Sequence, residues 1–281
     1  MYYINGQFVQ EEHAKISVLD LGLLRGFGVF DYLRTYRNRP FHLHEHLLRL
    51  QYSAEHIGLP LPKPLPEIAD IVHTLLDETR YPESSLKLFI TGGRSDDQFT
   101  PHQTPTLIAF VYPLKPYPSH YYTKGIHATT TPLSRSLPTS KTIQYIPAIV
   151  SLKKAPAQEA LYLNQKNEIL EGTTSNFFGF KNGTLITCDS EEVLFGITRD
   201  VVLKLAAPHF SIEYRAIPLS EKLDEAFITA SNKEIMPVVT IDNHTIGSGQ
   251  VGPHTQHLMR LFTDYTQSSN WPTLINPRYR T

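Results

Sequence analysis

The feature that most restricts the fold of this chain is a proline-containing stretch between Tyr112 and Tyr122. Its prolines are Pro113, Pro116 and Pro118. Proline fixes the backbone φ angle and lacks an N–H donor, so neither a helix nor a central strand continues through these positions. The stretch also lacks apolar periodicity, which favours a stiff connection between domains. The sequence therefore predicts a small N-terminal domain, a linker and a larger C-terminal domain, over residues 1–113, 114–121 and 122–281.

The balance of charge and the cysteine content limit the classes of function. Lys+Arg number 26 and Asp+Glu 27, which excludes functions that depend on a strong global field, such as general binding of nucleic acid or membrane surfaces. The one cysteine, Cys188, can form no internal disulfide and does not suffice for a zinc cluster. The first residues lack a signal-peptide pattern, and no apolar run approaches the roughly 20 residues that span a bilayer. We therefore expect a cytoplasmic protein.

Turn residues and hydrophobic periodicity predict both helices and strands. Asn5-Gly6 suits the positive φ angles of a two-residue hairpin turn, and Asn182-Gly183 repeats this signal. Further strands are predicted over residues 29–36, 86–91, 106–112, 125–131, 161–164, 177–180, 184–188, 211–217 and 226–229. Helices are predicted over residues 44–57, 66–79, 148–154, 198–207 and 253–262. The fold class that follows is α+β, with a small α/β domain and a larger β-rich domain covered by helices.

Three closely spaced histidines, His42, His44 and His46, are candidates for a metal site. Histidines that alternate along a strand share one face and could bind zinc. This segment, however, enters a predicted helix, which breaks the alternation, and no distant pair of cysteines or histidines supplies further ligands. We therefore predict a polar helix entrance and no metal site.

Two segments are candidates for binding an anion. Residues 196–201 place a glycine before an amphipathic helix, whose free N–H groups can bind a phosphate. The polar turn at residues 230–233 follows an apolar strand and could donate to the same anion. A capped structural helix and an ordinary turn remain the alternatives. The glycines of residues 24–28 and 91–94 lack the spacing of nucleotide-binding loops.

Lys141 has an unusual setting for a lysine. The stretch around it holds several apolar residues and no other charge, whereas Lys153 and Lys154 have the setting of surface lysines. A buried lysine can lose its proton and attack a carbonyl, which makes Lys141 a candidate for Schiff-base chemistry. An ordinary structural lysine is the alternative.

Six segments, in order along nearly the whole chain, resemble those of the class IV (fold type IV) pyridoxal-phosphate aminotransferases. The segments are Leu24-Arg-Gly-Phe-Gly-Val-Phe-Asp31, Glu45-His-Leu-Leu-Arg-Leu50, Lys141-Thr-Ile-Gln-Tyr145, Glu171-Gly-Thr-Thr-Ser-Asn176, Gly196-Ile-Thr-Arg199 and Glu234-Ile-Met-Pro-Val238. The resemblance implies a two-domain fold type IV enzyme that uses pyridoxal 5'-phosphate. It also implies a homodimer in which residues near Arg25 and Phe30 complete the partner's substrate pocket.

The resemblance assigns a role to each matching residue. Lys141 forms the Schiff base with the cofactor and later moves a proton between substrate and cofactor, and Glu171 pairs with the pyridine nitrogen. Arg49 binds the phosphate, because a guanidinium stays charged and offers paired donors. Further cofactor contacts are assigned to Tyr145, Thr174, Asn176, Ile197, Thr198, Ser231 and Asn232. The implied reaction is ping-pong transamination from an amino donor to a 2-oxo acid, 2-oxoglutarate or pyruvate.

The residues that would recognise the substrate depart from the patterns of the known subfamilies. Thr91-Gly-Gly-Arg94 replaces the Arg-x-His pair of typical D-amino-acid enzymes, and Arg25 replaces a tyrosine of branched-chain enzymes. An arginine at this position suits a substrate α-carboxylate, with Arg94 assisting. The alternative is that Arg25 pairs with Asp20 or Asp31 and fixes its loop.

We therefore expect a D-amino-acid aminotransferase, because the Leu-Arg-Gly-aromatic-Gly segment resembles that of an atypical D-specific subgroup. Within the family, the alternatives are a branched-chain L-amino-acid aminotransferase and aminodeoxychorismate lyase. An alternative of another class is a non-catalytic protein that binds the cofactor. The presence of Lys141, Glu171 and Arg49 argues against it.

Overall fold

The chain divides into two compact units. The computed structural model describes residues 1–79, 81–102, 104–154, 157–268, 270–274 and 279. The first unit comprises residues 1–115, 140–144 and 273–281, and the second comprises residues 116–139 and 145–272. The division after Lys115 lies within the proline-containing stretch, but the short segment around Lys141 groups with the first unit. Residues 275–278, 280 and 281 of the expected C-terminal domain lie outside the described residues.

The described strands of the first unit form a six-stranded antiparallel sheet with the order β2-β1-β6-β5-β3-β4. The strands are β1 (Tyr2–Ile4), β2 (Gln7–Val9), β3 (Gly28–Tyr36), β4 (Arg39–Pro40), β5 (Ser84–Thr91) and β6 (Thr106–Pro113). The helices are α1 (Leu21–Arg25), α2 (Leu43–His56) and α3 (Leu65–Asp77), with a short 3-10 helix at Glu11–His13. Buried apolar side chains from β3, β5, β6, α2 and α3 form one core cluster.

Local sequence explains the predicted elements of this unit. Asn5 and Gly6 have φ angles of 46° and 96°, so the hairpin predicted at this pair is confirmed. In α2 the apolar residues Leu47, Leu50 and Ala54 are all buried, as their helical spacing predicts. Helix α1 was not predicted, because its five residues are too few for a periodic pattern.

The entrance of α2 carries polar side chains, as its histidines predict, but most of them are buried. His42, Glu45 and His46 have exposed fractions of 5%, 6% and 0%. Glu45 lies 3.4 Å from the His42 ring nitrogen Nδ1 and accepts a hydrogen bond of 2.8 Å from the backbone N–H of Leu274. The side chain of Glu45 therefore connects the start of α2 to the C-terminal segment within the first unit.

We expect acid to weaken this connection. Burial acts to raise the pKa of Glu45, but hydrogen bonds from His42 and from the Leu274 N–H outweigh it and lower the pKa to about 2. In an unfolded chain the same carboxyl has a pKa of about 4.3. Its stabilising contribution is therefore complete above about pH 5 and is lost as the pH falls toward 2, by on the order of 1–2 kcal/mol of unfolding free energy.

Urea unfolding of the wild type and of Glu45→Gln at pH 6 and pH 3 measures this contribution. The difference in unfolding free energy between the two proteins should shrink at pH 3. Glu67→Gln is the control for loss of a surface carboxylate, because Glu67 lies exposed on α3. An equal difference at both pH values would show that Glu45 does not carry the acid response.

The described strands of the second unit form a ten-stranded sheet. They are β7 (Ile126–Thr131), β8 (Glu159–Leu163), β9 (Glu168–Gly172), β10 (Asn176–Lys181), β11 (Thr184–Thr187), β12 (Ile212–Tyr214), β13 (Ile217–Pro218), β14 (Glu225–Ala230), β15 (Glu234–Ile241) and β16 (His244–Thr245). The order is β12-β11-β10-β14-β15-β7-β8-β9-β13, and β16 pairs with β15. Because β9 also pairs with β10, the strands β10, β14, β15, β7, β8 and β9 close into a ring around an apolar cluster.

The described helices of the second unit are α4 (His120–Thr123), α5 (Ile146–Lys154), α6 (Ile197–Ala206) and α7 (Pro253–Gln267). Two longer strands of this unit, β9 and β15, were not predicted, nor was the two-residue β16. Each of the two longer strands carries a residue that interrupts the usual pattern, Glu171 with its buried carboxyl group in β9 and Pro237 in the interior of β15. Nevertheless, the predicted α+β class is confirmed. In the described residues, no helix is both long and apolar enough to cross a membrane.

Candidate functional site

Lys141 lies in the first unit, on a short extended segment beside β3. The backbone N–H of Phe30 donates to the carbonyl of Lys141 at 2.9 Å, and the Lys141 N–H donates to Ser53 Oγ of α2 at 3.0 Å. The Lys141 side chain is half-buried, with Nζ 4.8 Å from the centre of the Phe30 ring. Backbone contacts to β3 and α2 therefore fix the Cα of Lys141, and the Phe30 ring lies beside its amine.

Arg49 and Asp31 form a buried ion pair in the same unit. Arg49 Nε and Nη2 donate to the two carboxylate oxygens of Asp31 at 2.9 and 2.8 Å. His46 Nδ1 lies 2.7 Å from Asp31 Oδ1. Burial acts to raise the pKa of Asp31, but Arg49 and His46 hold it well below its usual range. Burial lowers the pKa of His46, so the charge of this cluster resides on Asp31 and Arg49.

The helix α2 presents Arg49 and Ser53 one turn apart, on a common face. Arg49 binds Asp31 of β3, while Ser53 accepts from the segment of Lys141. Two predicted site residues, Lys141 and Arg49, are thus both positioned by the strand β3 and the helix α2. Sequence reasoning missed Asp31 as a partner of Arg49, although a carboxylate inside a largely apolar strand signals a need for a buried cation.

Glu171 lies near the end of β9 in the second unit, with 3% of its surface exposed. Its Oε1 accepts from Arg135 Nη1 at 3.2 Å, and its Oε2 accepts from the Leu194 N–H at 2.9 Å and from Asn176 Nδ2 at 3.3 Å. These donors hold the carboxylate in one orientation. Sequence reasoning did not identify Arg135, which precedes Glu171 by 36 residues.

Tyr162 and Tyr145 belong to the surroundings of Glu171. Burial raises the pKa of Tyr162 to about 12, with Arg135, Glu171 and Tyr145 acting on it electrostatically. Tyr162 therefore stays protonated at any physiological pH. Tyr145, a predicted cofactor contact, is half-buried just before α5, where its carbonyl accepts from the Ile149 N–H.

The N-terminus of α6 has the features expected of an anion site. Gly196 is the N-cap, and no side chain caps the helix, while Ile197 and Thr198 of the first turn are buried. The N–H groups of such a first turn have no partner within the helix. A Cβ at residue 196 would collide with Asn176 Oδ1, so only glycine allows Asn176 to approach this closely. Asn176 thus contacts both the helix start and the Glu171 carboxylate.

Ser231 and Asn232 lie in the turn between β14 and β15, where both are half-buried. The turn is closed by a hydrogen bond of 3.0 Å from the Lys233 N–H to the Ala230 carbonyl, and Asn232 Nδ2 donates to the Tyr117 hydroxyl at 3.2 Å. Thr174 lies between β9 and β10, and its hydroxyl donates to Glu159 Oε2 at 2.9 Å. The hydroxyl proton of Thr174 is therefore engaged in a hydrogen bond to Glu159.

Arg25 and Arg94 are exposed on two connected segments of the first unit. The Leu21 N–H donates to the Gly93 carbonyl, and the Ser95 N–H donates to the Leu19 carbonyl. These bonds join the start of α1, which ends at Arg25, to the loop of Arg94. The two guanidinium groups therefore extend from segments that are held together.

The alternative in which Arg25 pairs with Asp20 or Asp31 is wrong. Asp20 caps α1 through the Gly22 N–H at 2.7 Å, and its other oxygen accepts from the hydroxyls of Thr91 and Thr106. Asp31 binds Arg49. The Arg25 guanidinium instead donates to the carbonyl of Leu24 at 3.3 Å. Both aspartates are buried, whereas the side chain of Arg25 faces solvent.

Comparison with known proteins links these residues to one family. The family model described as amino-transferase class IV matches residues 28–241. A protein of Methanocaldococcus jannaschii, provisionally named a branched-chain-amino-acid aminotransferase, is 36% identical over 277 residues, covering 93% of this chain and 95% of that protein. The D-alanine aminotransferase of Staphylococcus epidermidis is 32% identical over 279 residues. The match covers 95% of this chain and 98% of that protein.

A solved structure shows the same fold. The branched-chain amino acid aminotransferase of Escherichia coli superposes with a TM-score of 0.89 at 24% identity. The match covers 96% of this chain and 96% of that structure.

Proposed function

The chain belongs to the class IV aminotransferase family, and on that premise we propose that it transfers an amino group from a D-amino acid to a 2-oxo acid. Family membership makes it an aminotransferase that uses pyridoxal 5'-phosphate, with an amino acid and a 2-oxo acid as substrates. The bound cofactor supplies an aldehyde that takes up amino groups and a ring that accepts electrons from the substrate Cα–H bond. The D-preference, the site roles and a homodimeric assembly are parts of the proposal.

Each unit, taken by itself, holds polar groups that suit a part of this cofactor. In the second unit, the first-turn N–H groups of Ile197 and Thr198 suit a phosphate, and Ser231 and Asn232 offer further donors. The buried Glu171 carboxylate suits a protonated ring nitrogen. In the first unit, we assign Arg49, whose guanidinium is oriented by its two bonds to Asp31, to the phosphate. We assign the remaining cofactor contacts to Tyr145, Thr174 and Asn176.

Lys141 is assigned two tasks, binding the cofactor aldehyde and moving the proton at the substrate Cα. Both tasks need a neutral amine at a fixed position. The backbone bonds from Phe30 and to Ser53 supply the fixed position. The adjacent Phe30 ring excludes water from one side of the amine.

The observation that carries the D-amino-acid proposal is the exposed Arg25 at the end of α1, beside the loop of Arg94. A guanidinium that points into solvent can form a bidentate pair with an incoming α-carboxylate. Anchoring that carboxylate on one side of the site selects which substrate enantiomer can direct its Cα–H bond toward Lys141. In a homodimer, Arg25 would act in the partner's substrate pocket.

A panel of amino donors tests this function, with Arg25→Ala as the informative variant. For the wild type we expect D-alanine and D-glutamate to react with 2-oxoglutarate or pyruvate roughly 100-fold better than L-leucine in kcat/KM. The loss of a bidentate carboxylate contact, about 1.5–3 kcal/mol, should raise the KM of Arg25→Ala for amino donors by roughly 10–100-fold. Cofactor affinity should stay unchanged.

Arg260→Ala is the matched control, because Arg260 is exposed on α7 and has no assigned role.

Co-refolding Arg25→Ala with Lys141→Ala tests the dimer, since activity returns only if Arg25 of one protomer serves the site of its partner. If L-leucine reacts faster than the D-amino acids, the branched-chain alternative is correct. If the protein releases pyruvate from aminodeoxychorismate without a 2-oxo acid, the lyase alternative is correct. Cofactor binding without any turnover would support the non-catalytic alternative.

A further inference from the structure

A buried ion pair in the second unit has no part in the roles assigned above. Glu159 is the first residue of β8, and Lys233 follows Asn232 in the turn between β14 and β15. Their exposed fractions are 0% and 4%. Lys233 Nζ donates to Glu159 Oε2 at 2.5 Å and to the Thr174 hydroxyl at 2.6 Å.

The same carboxylate holds the whole turn between β9 and β10. The hydroxyls of Thr173, Thr174 and Ser175 donate to Glu159 at 2.5, 2.9 and 2.8 Å. Together with the ammonium of Lys233, these donors occupy both oxygens of Glu159. The turn at residues 173–175 and the turn at Lys233 are therefore bound to one buried charge.

These two turns carry different parts of the proposed cofactor site. The first lies between Glu171, assigned to the ring nitrogen, and Asn176, which packs against the start of α6. The second contains Ser231 and Asn232, assigned to the phosphate. A shift of Lys233 would move the phosphate donors relative to the Glu171 carboxylate.

Stability alone gives little reason for such a pair. Burying two charges costs desolvation energy that their attraction often only offsets, and apolar residues of similar size can stabilise a fold as well. A hydrogen-bonded ion pair differs from an apolar contact in being directional, so it fixes relative position. Burial acts to raise the pKa of Glu159, but Lys233 and the hydroxyls lower it, in keeping with a permanently charged carboxylate.

We propose that Glu159 and Lys233 are positioning residues that hold the phosphate-binding turn at Ser231 and Asn232 in register with Glu171. The inference rests on the proposed cofactor contacts. It concerns how the chain holds the phosphate end of the cofactor rather than how the substrate reacts.

Binding of pyridoxal 5'-phosphate and of pyridoxal to apoenzyme prepared from the purified holoenzyme tests this proposal. In Lys233→Met, the Kd for pyridoxal 5'-phosphate should rise by roughly 10–100-fold, as expected when two or more charge-assisted phosphate contacts are misplaced. The Kd for pyridoxal, which lacks the phosphate, should change less than about 3-fold. A purely structural role would weaken both ligands alike, or neither.

Lys181→Met is the matched control, since Lys181 pairs with Glu221 at 3.1 Å in the same unit but is partly exposed to solvent. The double variant Glu159→Gln with Lys233→Met removes both charges, so it leaves no unpaired buried carboxylate. It should regain apoenzyme thermal stability while keeping the selective loss of pyridoxal 5'-phosphate.

An unchanged ratio of the two dissociation constants in the variants would overturn the proposal. Failure of both variants to fold would also overturn it, because the pair would then serve folding. Failure of the wild-type apoenzyme to bind pyridoxal 5'-phosphate would instead contradict the cofactor assignment itself.

Discussion

Replacing Lys141 with alanine is expected to abolish transamination, with kcat falling by roughly 10³-fold or more, since the nucleophile and the proton carrier are lost together. The backbone of residue 141 should stay in place, because its bonds to Phe30 and Ser53 do not involve the side chain. Steady-state rates and the absorption spectrum of the purified protein measure the effect. The wild type should be yellow, and the variant should lack the covalently bound chromophore.

Borohydride reduction followed by peptide mapping locates the covalent link. In the wild type the reduced cofactor should remain on Lys141, and in Lys141→Ala it should wash away. Lys87→Ala is the control, because Lys87 also holds its ammonium near an aromatic ring, 5.9 Å from the centre of Tyr112. A stable adduct on any lysine other than Lys141 would contradict the assignment, and a wild type that stays colourless with added cofactor would contradict the cofactor itself.

Glu171→Gln is expected to lower kcat by roughly 10²–10³-fold, the usual cost of removing one preorganised electrostatic group from a site. Glutamine keeps the shape of the side chain and one acceptor for the Leu194 N–H, but it removes the negative charge. Without that charge the ring nitrogen loses its proton more readily, and the ring accepts electrons less well. Rates of both half-reactions, together with the absorption maximum of the bound cofactor, measure this change.

Glu168→Gln is the matched control for this substitution. Glu168 belongs to the same strand, and its carboxylate accepts a hydrogen bond from Asn164 Nδ2 at 2.8 Å rather than from Arg135. Its variant should keep nearly wild-type rates. If Glu171→Gln also stays within about 3-fold of the wild type, Glu171 does not govern the ring nitrogen.

Much of the first unit could be predicted from short-range sequence signals. The hairpin at Asn5-Gly6 follows from backbone preference, and α2 follows from the spacing of Leu47, Leu50 and Ala54. Such signals fail where a strand carries a buried charged residue or a proline. Glu171 in β9 and Pro237 in β15 therefore concealed two central strands of the second unit.

The candidate site shows a similar division between what was predicted and what was missed. The segments that contain Lys141, Arg49, Glu171 and Ile197 were recognisable, because each is a short run of residues that resembles a segment of the family. The sequence did not reveal Asp31 as the partner of Arg49, Arg135 as the partner of Glu171, or Lys233 as the partner of Glu159. Two such partners come into contact only in the folded chain, and this contact leaves no pattern in the sequence around either residue.

The sequence by itself determined the α+β class and the hairpins at Asn5-Gly6 and Asn182-Gly183. These depend on backbone preference and local periodicity, which act over a few residues. The assignment of residues to an aldehyde, a phosphate and a ring nitrogen comes from the resemblance of short segments to one family, and it stays a prediction. The tertiary structure alone decided which charges meet. Asp31 and Arg49 are 18 residues apart in the sequence. The separation is 36 residues for Arg135 and Glu171, and 74 residues for Glu159 and Lys233. A buried charge must find its counter-charge wherever the folded chain brings one within hydrogen-bonding distance.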